Sequence, residues 1–220
     1  MDKCILSTCL RVYLYTILTR FDLISNLIRE RVQSILNIIA RGLNAIGMTP
    51  NVLTIIGFLA MCGVGVVLAT GNLALGGVLI IVAGIFDALD GTLARLTNRV
   101  SKFGAFLDST TDRFAEGALF LGILYSYLQR GMTFVAYLVF LTLLGSLMVS
   151  YARARAEGIG VECKEGMLTR FERMALLVVG LLLTAILGDA AILGVLAFLA
   201  VFTNVTAVQR MWLVYRATKQ

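Results

Sequence analysis

Residues 74–129 read ALGGVLIIVAGIFDALDGTLARLTNRVSKFGAFLDSTTDRFAEGALFLGILYSYLQ, two apolar runs joined by a short link that carries Arg99 and Lys102. About 20 apolar residues, at roughly 1.5 Å rise each, cross the hydrocarbon core of a bilayer as a helix. Both runs, at about 74–95 and 105–129, are long enough to do so. Four more segments of the same kind lie at about 51–70, 132–152, 172–188 and 190–213. The links Gly71-Asn72, Arg130-Gly131 and Gly188-Asp189 are very short, which suits antiparallel neighbours. The fold expected is therefore all-α: a polytopic membrane protein with six transmembrane helices.

Composition agrees. Of 220 residues 59% are hydrophobic, only 15% are charged, and there is one proline. A soluble domain is closer to half apolar and a quarter charged, so a soluble globular domain, a disordered chain and a disulfide scaffold are all excluded. The four cysteines (Cys4, Cys9, Cys62, Cys163) have no metal-like spacing, and the chain has no histidine. Zinc sites and His-based triads fall with that. Acid–base chemistry is left to carboxylates, Lys, Tyr, Ser or Cys.

Basic residues give the orientation. Lys3, Arg11, Arg20, Arg29, Arg31 and Arg41 precede the first span. Arg153, Arg155, Lys164 and Arg170 fill the link after span 4, and Arg216 and Lys219 follow span 6. The opposite links hold only Arg130. Positive-inside places both termini and the longer links in the cytoplasm of a multi-pass cell-membrane protein. Residues 24–47 alternate Ile, Leu and Val with Arg and Asn at helical spacing, the pattern of an amphipathic helix lying on the interface. The expected organisation is a juxtamembrane amphipathic segment at 1–47, a six-helix domain at 48–213 and a cytoplasmic tail at 214–220. The net charge of +6 points to an anionic leaflet or substrate and requires no nucleic acid.

Carboxylates inside membrane spans are costly and usually functional. Asp87 and Asp90 are three residues apart and Asp108 and Asp112 four apart, so each pair occupies one helix face. Both pairs lie toward the cytoplasmic ends of two linked spans and can face each other. Four converging carboxylates repel one another unless cations neutralise them. Oxygen ligands alone favour Mg2+ or Mn2+, and four of them suit a two-ion centre. The plainer reading pairs the aspartates with Arg95, Arg99 and Arg113 as helix-to-helix ties. Glu116, one turn beyond Asp112, fits a supporting or a paired role equally. Gly91 and Ala94 clear one helix face for a close approach, and Arg95 beside that gap suits a phosphate.

The eight positions Asp87, Asp90, Gly91, Ala94, Arg95, Gly104, Asp108 and Asp112 match D-x2-D-G-x2-A-R-x8-G-x3-D-x3-D. That pattern resembles the signature of the CDP-alcohol phosphotransferase family, and Thr49-Pro50-Asn51 resembles the opening of the family's first span. The resemblance implies transfer of a phosphatidyl-type group from a CDP-linked lipid to an alcohol, with release of CMP. It implies that Asp87, Asp90, Asp108 and Asp112 hold the divalent metals and that Asp112 is the general base. Pro50, Asn51, Gly91, Ala94, Arg95 and Ser101 would hold the CDP moiety, and the enzyme would be a homodimer.

The acceptor is read from the second half. Arg153, Arg170 and Arg173 cluster around the link after span 4 and suit an acceptor already carrying a phosphate; singly, each reads as a topology anchor. The run from Ala152 to Gly158 and Arg170-Phe171-Glu172-Arg173 resemble the branch that makes phosphatidylinositol phosphate or archaetidylinositol phosphate from inositol 1-phosphate. Glycerol 3-phosphate is the alternative acceptor. Thr203, Thr206, Gln209 and Arg210 form a polar stripe on span 6 that either lines a substrate path or bonds helix to helix. An ion-coupled transporter is the rival class, but no repeat occurs and the acids sit toward one face.

Overall fold

The computed structural model describes residues 31–219 apart from 164, 165 and 167. Helix α1 covers residues 31–45. The rest are α2 (Pro50–Ala69), α3 (Leu73–Leu96), α4 (Lys102–Gln129), α5 (Thr133–Gly158), α6 (Arg170–Leu187) and α7 (Asp189–Thr218). No strand occurs among the described residues. Of the expected amphipathic stretch at 24–47, the part before residue 31 lies outside the described residues.

Four helices, α2, α3, α5 and α7, are long and apolar enough to cross a membrane, so this is a helical membrane protein. The six-span expectation differs at α4 and α6, for a chemical reason. The last 18 residues of α4 carry Asp112, Arg113 and Glu116, and the 18 residues of α6 carry Arg170, Glu172 and Arg173. Those charges dilute the apolar signal.

Local chemistry sets the helix boundaries. Pro50 opens α2, where its fixed φ is preorganised and its missing N–H leaves no bond unmade. Ser101 caps α4, its hydroxyl accepting from Gly104 N at 3.0 Å. Thr169 and Glu172 form a capping box that starts α6 at Arg170, two residues before the sequence-based boundary. α3 stops where Asn98 takes φ +52°, with Arg99 N donating to Ala94 O at 2.9 Å. α7 runs through Thr218, past the boundary expected at 213; Trp212 and Tyr215 stack along it at 5.5 Å.

The described chain falls into two compact units. The smaller joins the residues up to Pro50 with Ala88–Val100; the larger is Asn51–Asp87 with Ser101–Gln220. In the larger unit one core draws on α2 to α7, with Leu68, Ile123, Tyr127, Leu181, Ile192 and Leu196 almost wholly buried. Small residues allow its helices to meet closely: a Cβ at Gly65 would stand 2.6 Å from Ala118 O. Thr142 donates to Leu196 O at 3.1 Å and Arg210 to Val149 O at 2.7 Å, so polar groups tie α5 to α7. Thr203 and Thr206, fully buried, bond back to their own helix at Leu199 O and Phe202 O. Arg210 of the polar stripe therefore bonds helix to helix.

The three short turns are tied together at the end of α3 remote from Asp87. Arg130 reaches Asp189 at 3.1 Å and Gly71 O at 3.3 Å, and Tyr127 donates to the same Asp189 carboxylate at 2.7 Å.

Candidate active site

The larger unit gathers Asp87 from α3 with Asp108 and Asp112 from α4. One oxygen from each carboxylate lies within 4.8 Å of the others. Asp108 and Asp112 share a face because they are one helical turn apart. Asp112 is largely covered, 12% exposed, whereas Asp87 opens to the outside at 51%. Of the four carboxylates expected to converge, these three lie together. Asp90, the fourth, follows three residues after Asp87 on α3, belongs to the smaller unit and is 7% exposed.

A guanidinium compensates this negative cluster. Arg170 Nη2 lies 2.6 Å from Asp112 Oδ1, and its Nη1 lies 3.9 Å from Asp87 Oδ2. Arg113 stands 3.5 Å from the other Asp112 oxygen while donating to Ser109 O. Three oxygen donors converge with a cationic group already drawn against them, which is the donor set and field that suit Mg2+ or Mn2+. Of the three arginines named in the plainer reading, aspartates tied to arginines, Arg113 is seen in such a pair among the described residues, with Asp112. The closer partner is Arg170, which that reading did not include.

Ser101, Gly104 and Asn51 meet in the larger unit. A Cβ at Gly104 would lie 3.1 Å from Ser101 Oγ and 3.2 Å from Asn51 Oδ1, so glycine keeps a polar notch between the starts of α2 and α4. In the smaller unit Arg95 folds back along α3. Its Nη2 donates to Thr92 Oγ1 at 3.3 Å, and its Nη1 lies 3.4 Å from where a Cβ on Gly91 would stand. Gly91 therefore gives the guanidinium room to lie against the helix. Ala94 is half-buried on the same helix and Pro50 sits at the head of α2.

The three acceptor arginines take different places. Arg170 faces the carboxylates. Arg153 pairs with Glu157 at 2.9 Å on the exposed end of α5. Arg173 is 3% exposed, with Nη2 at 3.7 Å from Glu116 Oε1 and Nη1 donating to Leu168 O at 3.4 Å. Glu116 accepts in turn from Ser146 Oγ at 2.5 Å. Sequence reasoning missed this Ser146–Glu116–Arg173 connection. Its signals were a glutamate inside an apolar run and the Thr-x-x-Glu spacing that fixes where α6 begins.

The comparisons with known proteins bear on the same residues. The chain matches the CDP-alcohol phosphatidyltransferase family over residues 47–209, which takes in every carboxylate above. A crystal structure of Mycobacterium tuberculosis phosphatidylinositol phosphate synthase with CDP-DAG bound superposes with a TM-score of 0.79 at 32% identity. That match covers 83% of this chain and 94% of that one. The same synthase in complex with manganese and citrate gives 0.77 at 32% identity, over 82% and 88%. An archaetidylinositol phosphate synthase of Methanothermobacter thermautotrophicus is 42% identical over 76 residues, a match spanning 33% of this chain and 38% of that synthase. With the helices, the converging aspartates and a family match over most of its length in agreement, the chain belongs to the CDP-alcohol phosphatidyltransferase family.

Proposed function

We propose that this protein transfers the phosphatidyl-type group of a CDP-linked lipid to the hydroxyl of a phosphorylated polyol, inositol 1-phosphate first among them, releasing CMP. The observation that carries the reading is the Asp87–Asp108–Asp112 cluster with Arg170 drawn against it. The two solved structures named above are of a phosphatidylinositol phosphate synthase, one with CDP-DAG bound and one in complex with manganese and citrate, and each is similar over most of its length. Arg170 at the start of α6, beside the carboxylate cluster, supplies cationic charge that fits an acceptor bearing a phosphate, which serine lacks.

Within this reading α4 and α6 also cross the membrane, the carboxylate cluster opens to the cytoplasm, and α1 lies along the interface as an amphipathic helix. Asp87, Asp108 and Asp112 hold Mg2+ or Mn2+, two ions in the full centre. Asp90's place in the set rests on the family signature. When bound, the metal would supply the positive charge that neutralises the diphosphate and lets CMP leave when it is cleaved. Gly91, Ala94 and Arg95, with Pro50, Asn51 and Ser101, hold the CDP moiety. Asp112, oriented by Arg170, accepts the proton of the acceptor hydroxyl. The new oxygen–phosphorus bond forms as the bond from that phosphorus to the CMP oxygen breaks. Of the three arginines expected to serve the acceptor, Arg170 offers its phosphate counter-charge beside the cluster and Arg153 lies at the exposed end of α5, whereas Arg173 is sealed against Glu116; the working unit is a homodimer.

The test is an acceptor screen with purified protein, Mg2+ or Mn2+, and either CDP-diacylglycerol or CDP-archaeol, following CMP. Release dependent on inositol 1-phosphate is expected. Release with glycerol 3-phosphate alone moves the protein to phosphatidylglycerophosphate synthesis. No acceptor-dependent CMP with any polyol phosphate overturns the reading.

A further inference from the structure

Two arginines stand three residues apart on α6 and two carboxylates four residues apart on α4, so the helices face each other with two rungs of opposite charge. The upper rung, Arg170–Asp112, touches the carboxylate cluster and is partly open. The lower rung, Arg173–Glu116, is sealed at 3% exposure on both sides. Glu116 is held from α5 by Ser146, and Arg173 is held by Leu168 O at the entrance to α6. Buried charges on this scale persist only when paired. Two guanidiniums one turn apart repel each other, and both are drawn to the nearest uncompensated carboxylate.

We infer that Glu116, steadied by Ser146, is a positioning residue that confines Arg173, so that a single guanidinium, that of Arg170, faces Asp112. Glu116 touches neither substrate nor metal. It acts by removing a competitor: without its charge, Arg173 keeps the long bond to Leu168 O and is drawn toward the carboxylate cluster, so that two cations share the field meant for a divalent ion. This inference rests on the reading that Asp87, Asp108 and Asp112 hold such an ion.

The experiment is a Mn2+ titration of the full chain in detergent, reading free Mn2+ by electron paramagnetic resonance, together with melting temperatures in EDTA. Glu116→Gln is expected to weaken Mn2+ binding about tenfold, the order that one misplaced unit charge about one turn away exerts in a partly buried site. Arg173→Gln is expected to bind Mn2+ at least as tightly as the wild type. Glu116→Gln with Arg173→Gln, which buries no charge on this rung and so folds without a stranded ion, should return to within threefold of the wild type. Glu157→Gln makes the same change in net charge on the exposed Arg153 pair and should leave affinity within twofold. A purely structural role predicts lower melting temperatures with unchanged Mn2+ affinity in both single variants, and that result overturns the inference. So does a shift in Glu157→Gln equal to that in Glu116→Gln, or a double variant as weak as Glu116→Gln. A wild-type chain that binds no Mn2+ overturns the reading of the site, and the inference with it; normal wild-type binding with unaltered variants overturns the inference alone.

Discussion

Replacing Arg170 with alanine separates two roles that a loss of activity alone would confound. Its guanidinium is 2.6 Å from Asp112 and 3.9 Å from Asp87. It therefore compensates the cluster when no metal is bound and competes with a metal when one arrives. Two unit charges 3.9 Å apart interact by about 1 kcal/mol in water and about 4 kcal/mol at an effective dielectric near 20. Arg170 is 34% and Asp87 51% exposed, so screening places the effect toward the lower end, about 1–2 kcal/mol. Arg170→Ala should therefore destabilise the metal-free protein by about that amount. The same change should tighten Mn2+ binding about five- to thirtyfold, at roughly 1.4 kcal/mol per decade. The KM for a phosphorylated acceptor should rise while CDP-lipid affinity holds. Melting curves with EDTA and with Mn2+, alongside a direct Mn2+ titration, read both signs in one preparation. A variant whose metal-free stability and Mn2+ affinity both match the wild type would refute the idea that Arg170 stands in for the cation.

Further expectations test single elements of the structure. Asp87→Asn and Asp108→Asn should lower Mn2+ affinity and turnover together, whereas Asp112→Asn at saturating Mg2+ should abolish turnover and still bind CDP-lipid; an active Asp112→Asn enzyme removes the general-base role. Gly104→Ala crowds Ser101 Oγ and Asn51 Oδ1 and should raise the KM for the CDP-lipid several-fold with little change in acceptor KM. Gly65→Ala places a Cβ 2.6 Å from a backbone oxygen of α4, so the helices must part, and a loss of about 1–3 kcal/mol should appear in melting or denaturant curves. Arg130→Ala removes the tie to Asp189 and Gly71 at the far end of the bundle. Both ion partners are 38% exposed, so about 1 kcal/mol or less of stability should go while kcat stays unchanged.

The periodicity of apolar runs located the helices because in a membrane the backbone must satisfy itself, and only helix length remains to be read. It located their ends less well, since ends depend on particular side chains. α6 starts at Arg170 because Thr169 and Glu172 cap one another, a spacing visible in the sequence but overshadowed by the arginines on either side. α5 runs to Gly158, beyond the expected 152, because Arg153 and Glu157 pair along its exposed last turns. Tertiary ties were invisible: nothing in these short links announces that Arg130, Tyr127, Gly71 and Asp189 would meet.

The site was legible where charge is expensive and illegible where it is cheap. An aspartate inside an apolar run requires a reason, and three such residues proved to converge. An arginine at the mouth of a span has an ordinary reason, topology, so Arg153, Arg170 and Arg173 looked alike in sequence. They differ only by their partners: an exposed glutamate on the same helix, the carboxylate cluster, and a buried glutamate with a serine behind it. The charged residues that keep α4 and α6 from reading as plain membrane spans include the ones that form both rungs between them. The charges these two helices carry and the placement of the site are thus one fact: a helix gives up apolar character where its face must hold a carboxylate or a guanidinium.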